Sequence, residues 1–249
     1  MGDGLAMVIA RMKFSKGKEV KYISHLDLQR AFQRALRRAE IDIAYSQGFN
    51  PHPKTSFAMA LSVGMTSDGE YVDVELNNWQ EEEELMKKLN SALPKGIQIT
   101  DCIISDEDHS SLMSTIQMGL YRVGIYSKRI IGNREMNKKI KEFLSQDQIK
   151  EERTNKRGNR TERDIKPLIR SIKVLSMKEG IINLEMQLAT GSQHNVKPEI
   201  VIEKLIIYGE PFIIYDFIKI HRLELYTQLK GKYISPIKLF SGKSGREDM

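Results

Sequence analysis

The sequence contains a single cysteine, Cys102, among its 249 residues. One thiol excludes an intrachain disulfide, and it excludes a zinc or iron–sulfur site that takes several cysteines from this chain. Cys102 lies in the apolar segment ITDCII, where we expect a small buried hydrophobic residue. The scarcity of cysteine fits a reducing compartment, and we predict no bound cofactor and no metal site.

Long apolar runs are also missing. No stretch approaches the roughly 20 consecutive apolar residues with which a helix crosses a bilayer. The first residues, MGDGLAMVIARMKF, lack a signal-peptide cleavage pattern. We therefore predict a cytoplasmic protein that has no membrane partner.

Both halves of the sequence contain acidic and basic residues, but the proportion of the two differs between the halves. Residues 1–105 carry 13 basic and 14 acidic side chains, whereas residues 106–249 carry 26 and 19. The second half is therefore the stronger electrostatic candidate for an anionic partner such as RNA.

The first half alternates short apolar segments with amphipathic ones. LAMVIARMKF predicts a strand, and the residues after the N-cap candidate Ser24 predict a helix, because apolar residues recur there every three or four positions. IDIAY, SFAMALSV and EYVDVEL predict strands, NNWQEEEELMKKLNSAL a second helix, and IQITDCII a closing strand. This order of elements is typical of a ferredoxin-like unit.

The second half repeats that order. TIQMGLYRVGIYS predicts a strand, NREMNKKIKEFLSQ a helix, QIKEERTN a strand, KRGNRTERD a polar loop, IRSIKVLSMKEGIINLEMQLAT a hairpin, KPEIVIEKLII a helix and FIKIHRLELYT a strand. We predict an α+β protein of tandem ferredoxin-like (βαββαβ) units with antiparallel sheets. The predicted bounds are 1–105 for the first unit, 112–230 for the second and 231–249 for a tail.

Four arginines share the polar side of the first predicted helix: Arg30, Arg34, Arg37 and Arg38. Their spacing places them opposite the apolar stripe. Guanidinium groups match the geometry of phosphate oxygens, so the row is a candidate phosphate-binding surface, and a solvated helix face is the alternative.

The segment SQGFNPHPK, residues 46–54, predicts a stiff loop with ligand-binding side chains. Gly48 permits unusual backbone angles, and Pro51 and Pro53 restrict the path. The candidate contacts to RNA bases and phosphates are Gln47, Phe49, Asn50, His52 and Lys54. The alternative is a structural crossover in which Phe49 fills the core.

Two other groups of residues are candidates. His25 and His52 could act as acid and base in RNA cleavage, but neither has a partner at a fixed spacing, so no catalytic residue is firmly predicted. The basic stretch KRGNRTERDIKP predicts a second phosphate-contacting element, whose candidate residues are Lys156, Arg157, Arg160 and Arg163.

The segment from Tyr22 to Leu76 resembles the signature of a bacterial radical-SAM-associated domain of unknown function, and RTERDIKPLI resembles its second signature. The resemblance implies a small protein fused to, or encoded beside, a radical SAM protein with a cobalamin-type domain. Such proteins are also often encoded near a ribonuclease of the E/G type and large-subunit ribosomal proteins. The resemblance implies no activity, and this chain lacks the radical SAM part. The residues that match its motifs are His25, Asp27, Arg34, Arg38, Ser46, Gln47, Gly48, Phe49, Asn50, Pro51, His52, Pro53, Lys54, Ser56, Asp73, Arg163, Asp164 and Pro167.

These observations favour a non-enzymatic RNA-binding module or accessory subunit that presents RNA to a radical SAM modification enzyme. RNA and a radical SAM protein are the expected partners. Two alternatives remain open. One is a metal-independent RNA endonuclease or small-substrate enzyme that uses His25 or His52, and the other is a protein–protein adaptor.

Overall fold

The computed structural model describes residues 7–107, 110–128, 132–154, 158, 160–208 and 213–241. The chain divides into two compact units. The first unit comprises residues 1–117 and 224–249, and the second comprises residues 118–223. In sequence, the second unit is therefore inserted into the first, which differs from the predicted division into residues 1–105, 112–230 and a tail.

The elements alternate between strands and helices. In chain order they are β1 (Val8–Lys16), α1 (His25–Arg38), β2 (Thr55–Phe57), β3 (Thr66–Leu76), α2 (Glu82–Ala92), β4 (Ile97–Ser105), α3 (Leu112–Thr115), β5 (Ile116–Ser127), α4 (Asn133–Ser145), β6 (Lys150–Thr154), β7 (Arg160–Asp164), β8 (Ile169–Lys178), β9 (Ile181–Ala189), α5 (Pro198–Ile207), β10 (Tyr215–Leu229), β11 (Lys232–Ile234) and α6 (Pro236–Ser241). The described fold is α+β with mostly antiparallel sheet, which confirms the predicted class.

In the first unit, β1 pairs antiparallel with both β3 and β4, and β2 pairs antiparallel with β3. The strand order among these four is therefore β4-β1-β3-β2. The apolar stripe of α1, including Leu28, Phe32 and Leu36, is buried with the strand residues and with α2. The Phe32 ring lies edge-to-face against Phe14 and Phe57, with centroids 4.8 and 5.3 Å away, so aromatic packing fixes the helix on the sheet.

The N-terminus of α1 is capped as its sequence predicts. The Ser24 hydroxyl accepts a hydrogen bond from the Asp27 amide at 3.1 Å, and it donates to the Asp27 carboxylate at 2.7 Å. The hydrogen bond from Ser24 lowers the pKa of Asp27. A charged carboxylate in the first turn also interacts favourably with the helix dipole. The side-chain cap and this interaction together stabilise the start of α1.

In the second unit, β5 and β8 each pair antiparallel with β9, and the strand order is β10-β5-β9-β8. Helices α4 and α5 bury apolar side chains such as Ile140, Phe143 and Leu205 in one core with alternate residues of the strands. The pair β6 and β7 forms a separate two-stranded sheet.

Three predicted segments differ from the structure. IDIAY forms only isolated bridges at Ile43 and Tyr45, and SFAMALSV is a strand only up to Phe57. The predicted polar loop KRGNRTERD ends in the strand β7, which pairs with β6. The apolar composition of IDIAY and SFAMALSV favours longer strands. Their apolar residues are buried without continuous strand pairing, as at Ile41, Ile43, Ala58 and Leu61.

Candidate nucleic-acid interface

The four arginines of α1 lie on the exposed side of the helix, but they differ in their contacts. Arg30 forms an ion pair with Asp27 at 3.3 Å, and the guanidinium of Arg38 donates to the carbonyl of Ala92 at the end of α2. Among the described residues, Arg34 and Arg37 have no carboxylate within 4 Å. These two guanidinium groups are therefore the ones on this helix that remain available for a phosphate.

The loop after α1 stands on a short hydrogen-bonded neck. Tyr45 and Pro53 form an antiparallel bridge, the Ser46 amide donates to the His52 carbonyl at 2.9 Å, and the His52 amide donates to the Ser46 hydroxyl at 3.0 Å. Pro53 is buried, which anchors the returning strand of the neck. The path of the loop is thus set by bonds at its base rather than by contacts at its tip.

The tip of this loop is exposed at every residue from Gln47 to Pro51. Gly48 has a φ of +123°, a region that residues with a Cβ rarely adopt, and nothing lies within 4 Å of a Cβ placed there. The Phe49 side chain is fully exposed, at 105% relative accessibility. Phe49 is therefore not a core residue, which removes the structural reason for a phenylalanine at this position.

The residues that follow the loop are held to β3. The Lys54 ammonium pairs with Glu75 at 2.7 Å, and the Lys54 amide donates to the Ala44 carbonyl at 2.9 Å. Ser56 lies opposite Asp73 in the β2–β3 register. Lys54 is thus partly neutralised by a carboxylate of β3, so it is a weaker phosphate ligand than the sequence alone suggests.

The His25 ring packs against a buried phenylalanine of β2. Its ring lies edge-to-face on Phe57 with centroids 5.6 Å apart, and Gln29 Nε2 donates to His25 Nε2 at 3.2 Å. The other ring nitrogen, Nδ1, is buried without a hydrogen-bond partner among the described residues. Burial, followed by the positive charge of Lys16, lowers the pKa of His25. One ring nitrogen of His25 is thus occupied by Gln29 and the other is buried, whereas the other candidate, His52, is exposed in the loop neck.

Asp73 belongs to a buried ion pair that the sequence reasoning did not identify. Arg11 donates to both Asp73 carboxylate oxygens at 2.8 Å, and the Arg11 side chain is only 1% exposed. The same guanidinium donates to the Pro236 carbonyl at 3.4 Å and lies 4.3 Å from the centre of the Phe240 ring. Burial raises the pKa of Asp73, and the two hydrogen bonds from Arg11 oppose that shift.

A sequence signal for this pair exists. Arg11 interrupts the apolar run of β1, and Asp73 lies opposite it in β3, one residue away from buried valines on each side. A charge in the middle of a two-sided buried strand requires a partner. Asp73 therefore has a structural explanation that involves no ligand.

In the second unit, the charges of the β6–β7 hairpin are largely paired with one another. Arg163 contacts the Glu151 carboxylate through two nitrogens, at 2.7 and 3.2 Å, and Arg153 contacts it at 3.1 Å. Burial works against the charge of Glu151, but these two arginines outweigh it and lower its pKa. The predicted contact Arg160 is exposed, whereas Lys156 and Arg157 lie outside the described residues.

The hairpin is anchored at its base by Asp164. This carboxylate accepts the amides of Lys166 at 3.0 Å and Ile149 at 2.9 Å, and these bonds lower its pKa. Ile149 and Ile165 are buried beside it. In the segment RTERDIKPLI, Asp164 thus holds the backbone and Arg163 neutralises Glu151. Pro167 lies exposed in the short 3-10 helix that follows.

The charge difference between the two halves of the sequence follows the structural division. The second unit, residues 118–223, carries 21 basic and 13 acidic side chains, a net charge of +8. The first unit carries 18 and 20, a net charge of −2. The excess of positive charge therefore lies in the second unit.

Three further features of the described residues bear on function. No group of three or more histidine, cysteine, aspartate or glutamate side chains is arranged there to hold a metal ion. No helix in the same part of the chain has the length and apolarity needed to cross a membrane. Cys102 is buried, and this burial, with the charges of Glu82 and Asp101, raises its pKa to about 12.

The sequence places this protein in a bacterial family. The model of that family, described as an uncharacterized protein conserved in bacteria (DUF2344), matches residues 10–198, which is more than half of the chain. The chain therefore belongs to this family, whose description names neither an activity nor a radical SAM partner. No curated protein matches the chain.

Solved structures resemble the chain only distantly. A Cbf5-Nop10-Gar1 complex matches with a TM-score of 0.47 at 10% identity, covering 98% of this chain and 57% of that one. The archaeal box H/ACA sRNP Nop10-Cbf5 complex matches with a TM-score of 0.44 at 8% identity, covering 87% and 47%. An H/ACA RNP bound to a substrate RNA containing 2'-deoxyuridine matches with a TM-score of 0.41 at 9% identity, covering 98% and 56%. The chain spans about half the length of these proteins.

Proposed function

We propose that this protein is an RNA-binding module in which Arg34 and Arg37 hold phosphates and the loop at residues 47–51 contacts an unpaired base. The exposed ring of Phe49 carries the proposal. Exposing a phenylalanine on a loop gains nothing for folding, whereas an exposed aromatic ring binds a base by stacking. The neck at Ser46 and His52 supports this role, because it fixes the loop before a ligand arrives.

The arginines supply the complementary part. Arg34 and Arg37 lie one turn apart on α1, and no described carboxylate competes for them. Phosphate contacts fix position and add affinity, whereas base contacts add selectivity. The two sets of residues should therefore respond differently to salt and to RNA sequence.

The experiment is filter binding of the whole protein to single-stranded RNAs over a salt series. Replacing both Arg34 and Arg37 by alanine should weaken all RNAs alike and reduce the slope of log K against log salt by roughly 1.4, because each phosphate contact contributes about 0.7. Arg30→Ala is the matched control, because Arg30 is already paired with Asp27. Phe49→Ala should cost about 1–3 kcal/mol of binding and reduce the preference among RNAs.

Several outcomes would overturn the proposal. If the wild-type protein does not bind RNA, or if both variants bind as it does, the loop and the helix are not the interface. If the purified protein cuts RNA without metal and His52→Ala stops the cutting, the endonuclease alternative replaces binding. If RNA does not bind but an acidic protein does, the adaptor alternative stands.

We infer, at the level of fold, that each unit is a ferredoxin-like βαββαβ structure. The support is the strand order β4-β1-β3-β2 in the first unit and β10-β5-β9-β8 in the second, each with two helices at the corresponding places in the chain. The β6–β7 hairpin is then an insertion between α4 and β8. Tandem sheets of this kind would give the module two separate binding surfaces.

A finer proposal concerns the partner. The resemblance of the Tyr22–Leu76 segment to radical-SAM-associated proteins supports a role as the subunit that presents RNA to such an enzyme. The single thiol of this chain is buried and its pKa is raised, so Cys102 offers no thiolate at neutral pH. Co-purification of the chain with a radical SAM protein from the same bacterium, before and after ribonuclease treatment, tests the partnership. Failure to co-purify would remove the partner and leave RNA binding untouched.

A further inference from the structure

The sheet of the second unit has one face covered by helices and one face without them. On β5, alternate residues Tyr121, Val123 and Ile125 enter the core that contains α4 and α5. The intervening residues of the same strand, Arg122 and Tyr126 among them, therefore point to the other side of the sheet. That side is a partly exposed, helix-free face within the described part of this unit.

Two aromatic rings form a stacked pair on this face. Tyr126 on β5 and Phe217 on β10 lie 4.0 Å apart between centroids with an interplanar angle of 22°. Phe217 is 47% exposed, so about half of its surface remains open to solvent after it stacks on Tyr126. The Lys219 ammonium donates to the Tyr126 hydroxyl at 2.8 Å and lies 4.7 Å from the centre of the Tyr126 ring. Lys219 thereby holds the pair in place and adds a cation beside it.

The register of the strands brings more cations to the same side. Arg122 on β5 lies opposite Glu185 on β9, which lies opposite Lys173 on β8. Further along the same strands, Tyr126 on β5 lies opposite Ile181 on β9, which lies opposite Lys178 on β8. Side chains opposite each other in a ladder project to one side, so this face carries four basic residues, Arg122, Lys173, Lys178 and Lys219, and the acid Glu185. All four are exposed.

Gly124 leaves a gap in the middle of this surface. A Cβ at Gly124 would meet Asn183 Oδ1 at 3.5 Å and Tyr126 Cε2 at 3.8 Å, which are ordinary contacts. Gly124 therefore presents backbone rather than a side chain beside the Tyr126 ring, and the Asn183 side chain, which donates to Ser176 Oγ at 3.0 Å, lies next to it. A planar group could lie flat there and reach a hydrogen-bonding side chain.

From these observations, and resting on the proposed RNA-binding function, we propose that the helix-free face of the second unit's sheet binds single-stranded RNA. Bases stack on the Phe217–Tyr126 pair and over Gly124, and phosphates contact Arg122, Lys173, Lys178 and Lys219. The net charge of +8 on this unit and the basic excess on the face favour a polyanion. Exposed aromatic rings among cations on a four-stranded sheet favour unpaired bases over a duplex, whose bases are already stacked.

The test measures binding of the whole protein to a fluorescent oligouridylate, and to the same strand annealed to its complement. Phe217→Ala should weaken binding of the single strand about tenfold, since the loss of one stacked base has this order of effect. Ile207→Ala is the matched control, because Ile207 is exposed to a similar degree, at 51%, but lies on α5. Ultraviolet crosslinking followed by peptide mapping should recover peptides from β5 and β10. The annealed strand should bind more weakly than the single strand.

Two further variants protect the test from a folding artefact. Gly124→Val adds a β-branched side chain at an extended position and should block the surface without removing a ring. Lys219→Gln removes the charge and should flatten the salt dependence. If Phe217→Ala has a lower melting temperature, the result from these two variants decides the question.

The outcomes separate this inference from the proposed function. If RNA binds, Phe217→Ala and Gly124→Val have no effect, and the crosslinks fall only within residues 25–57, the sheet face is not an RNA surface while the first-unit site stands. If crosslinks fall on β5 and β10 but the variants of Phe49, Arg34 and Arg37 are silent, the sheet face stands and the first-unit site falls. If no RNA binds to the wild-type protein, both are wrong.

Discussion

The buried Arg11–Asp73 pair predicts a large and asymmetric effect of removing one charge. Arg11 is 1% exposed and the Asp73 side chain 12% exposed, so Asp73→Leu leaves a guanidinium in the interior whose remaining partners among the described residues are the Pro236 carbonyl and the Phe240 ring. Breaking a buried pair in this way costs about 3–5 kcal/mol. The double variant Arg11→Met with Asp73→Leu should recover most of that loss, because apolar groups can replace both charges.

The assay is equilibrium unfolding in urea followed by tryptophan fluorescence. Trp79 is the only tryptophan of the chain and lies in the first unit, so its emission reports the unit that contains the pair. Lys88→Ala is the control, because Lys88 and Glu84 approach to 2.6 Å on the surface of α2. An exposed pair of this kind contributes little to stability, because water screens the attraction. The N···O distances are similar in the two pairs, so the difference in the expected effects comes from burial and from the second hydrogen bond of Arg11.

Additive losses of stability in the two single variants and the double variant would refute the expected coupling. If Asp73→Leu and Arg11→Met each destabilise the protein and the double variant loses the sum of the two, the residues are not coupled. A loss below about 1 kcal/mol for Asp73→Leu would show that water or another group compensates Arg11.

Three further predictions can be checked by standard measurements. Phe49→Ala should leave the urea midpoint unchanged, since the ring is fully exposed, whereas Phe57→Ala should cost about 3–5 kcal/mol because that ring is buried; equal effects would contradict this assignment. The lowered pKa of His25 means that the neutral ring favours the fold, so stability should be retained above the unfolded value of 6.5 and lost as the pH falls from there to the folded-state pKa; His25→Gln should flatten this part of the curve of urea midpoint against pH. Cys102, with its pKa raised to about 12, should react with a thiol reagent only after unfolding, and rapid reaction of the native protein would show that β4 opens.

Periodicity predicted most of the regular elements correctly. The helix α1 could be read from its capping residue Ser24 and its apolar stripe, since both act within a few residues of the chain. The hairpin of β8 and β9 could likewise be read from the turn at Glu179 and Gly180, both of which adopt positive φ. Local signals of this kind survive in a single sequence.

The parts that failed depend on partners far away in the chain. Arg11 and Pro236 are 225 residues apart, and no local pattern indicates that they meet. The β6–β7 hairpin was not predicted for a related reason. Its residues alternate in charge rather than in hydrophobicity, and the alternation makes sense only when Glu151 is seen between Arg153 and Arg163. In the candidate site, the exposure of Phe49 and the pairing of Arg38 with Ala92 likewise required the fold.

The place of α6 in the first unit has a consequence for synthesis. Arg11 and Asp73 emerge early from the ribosome, but the Pro236 carbonyl and the Phe240 ring that cover Arg11 follow about 225 residues later. At 5–20 residues per second this interval is roughly 10–45 s. The second unit, residues 118–223, is synthesised within this interval, so Arg11 lacks these two partners until the sequence of the second unit is complete. The first unit is therefore completed only after residue 240 has been made, and until then the buried position of Arg11 lacks the carbonyl and the ring that cover it.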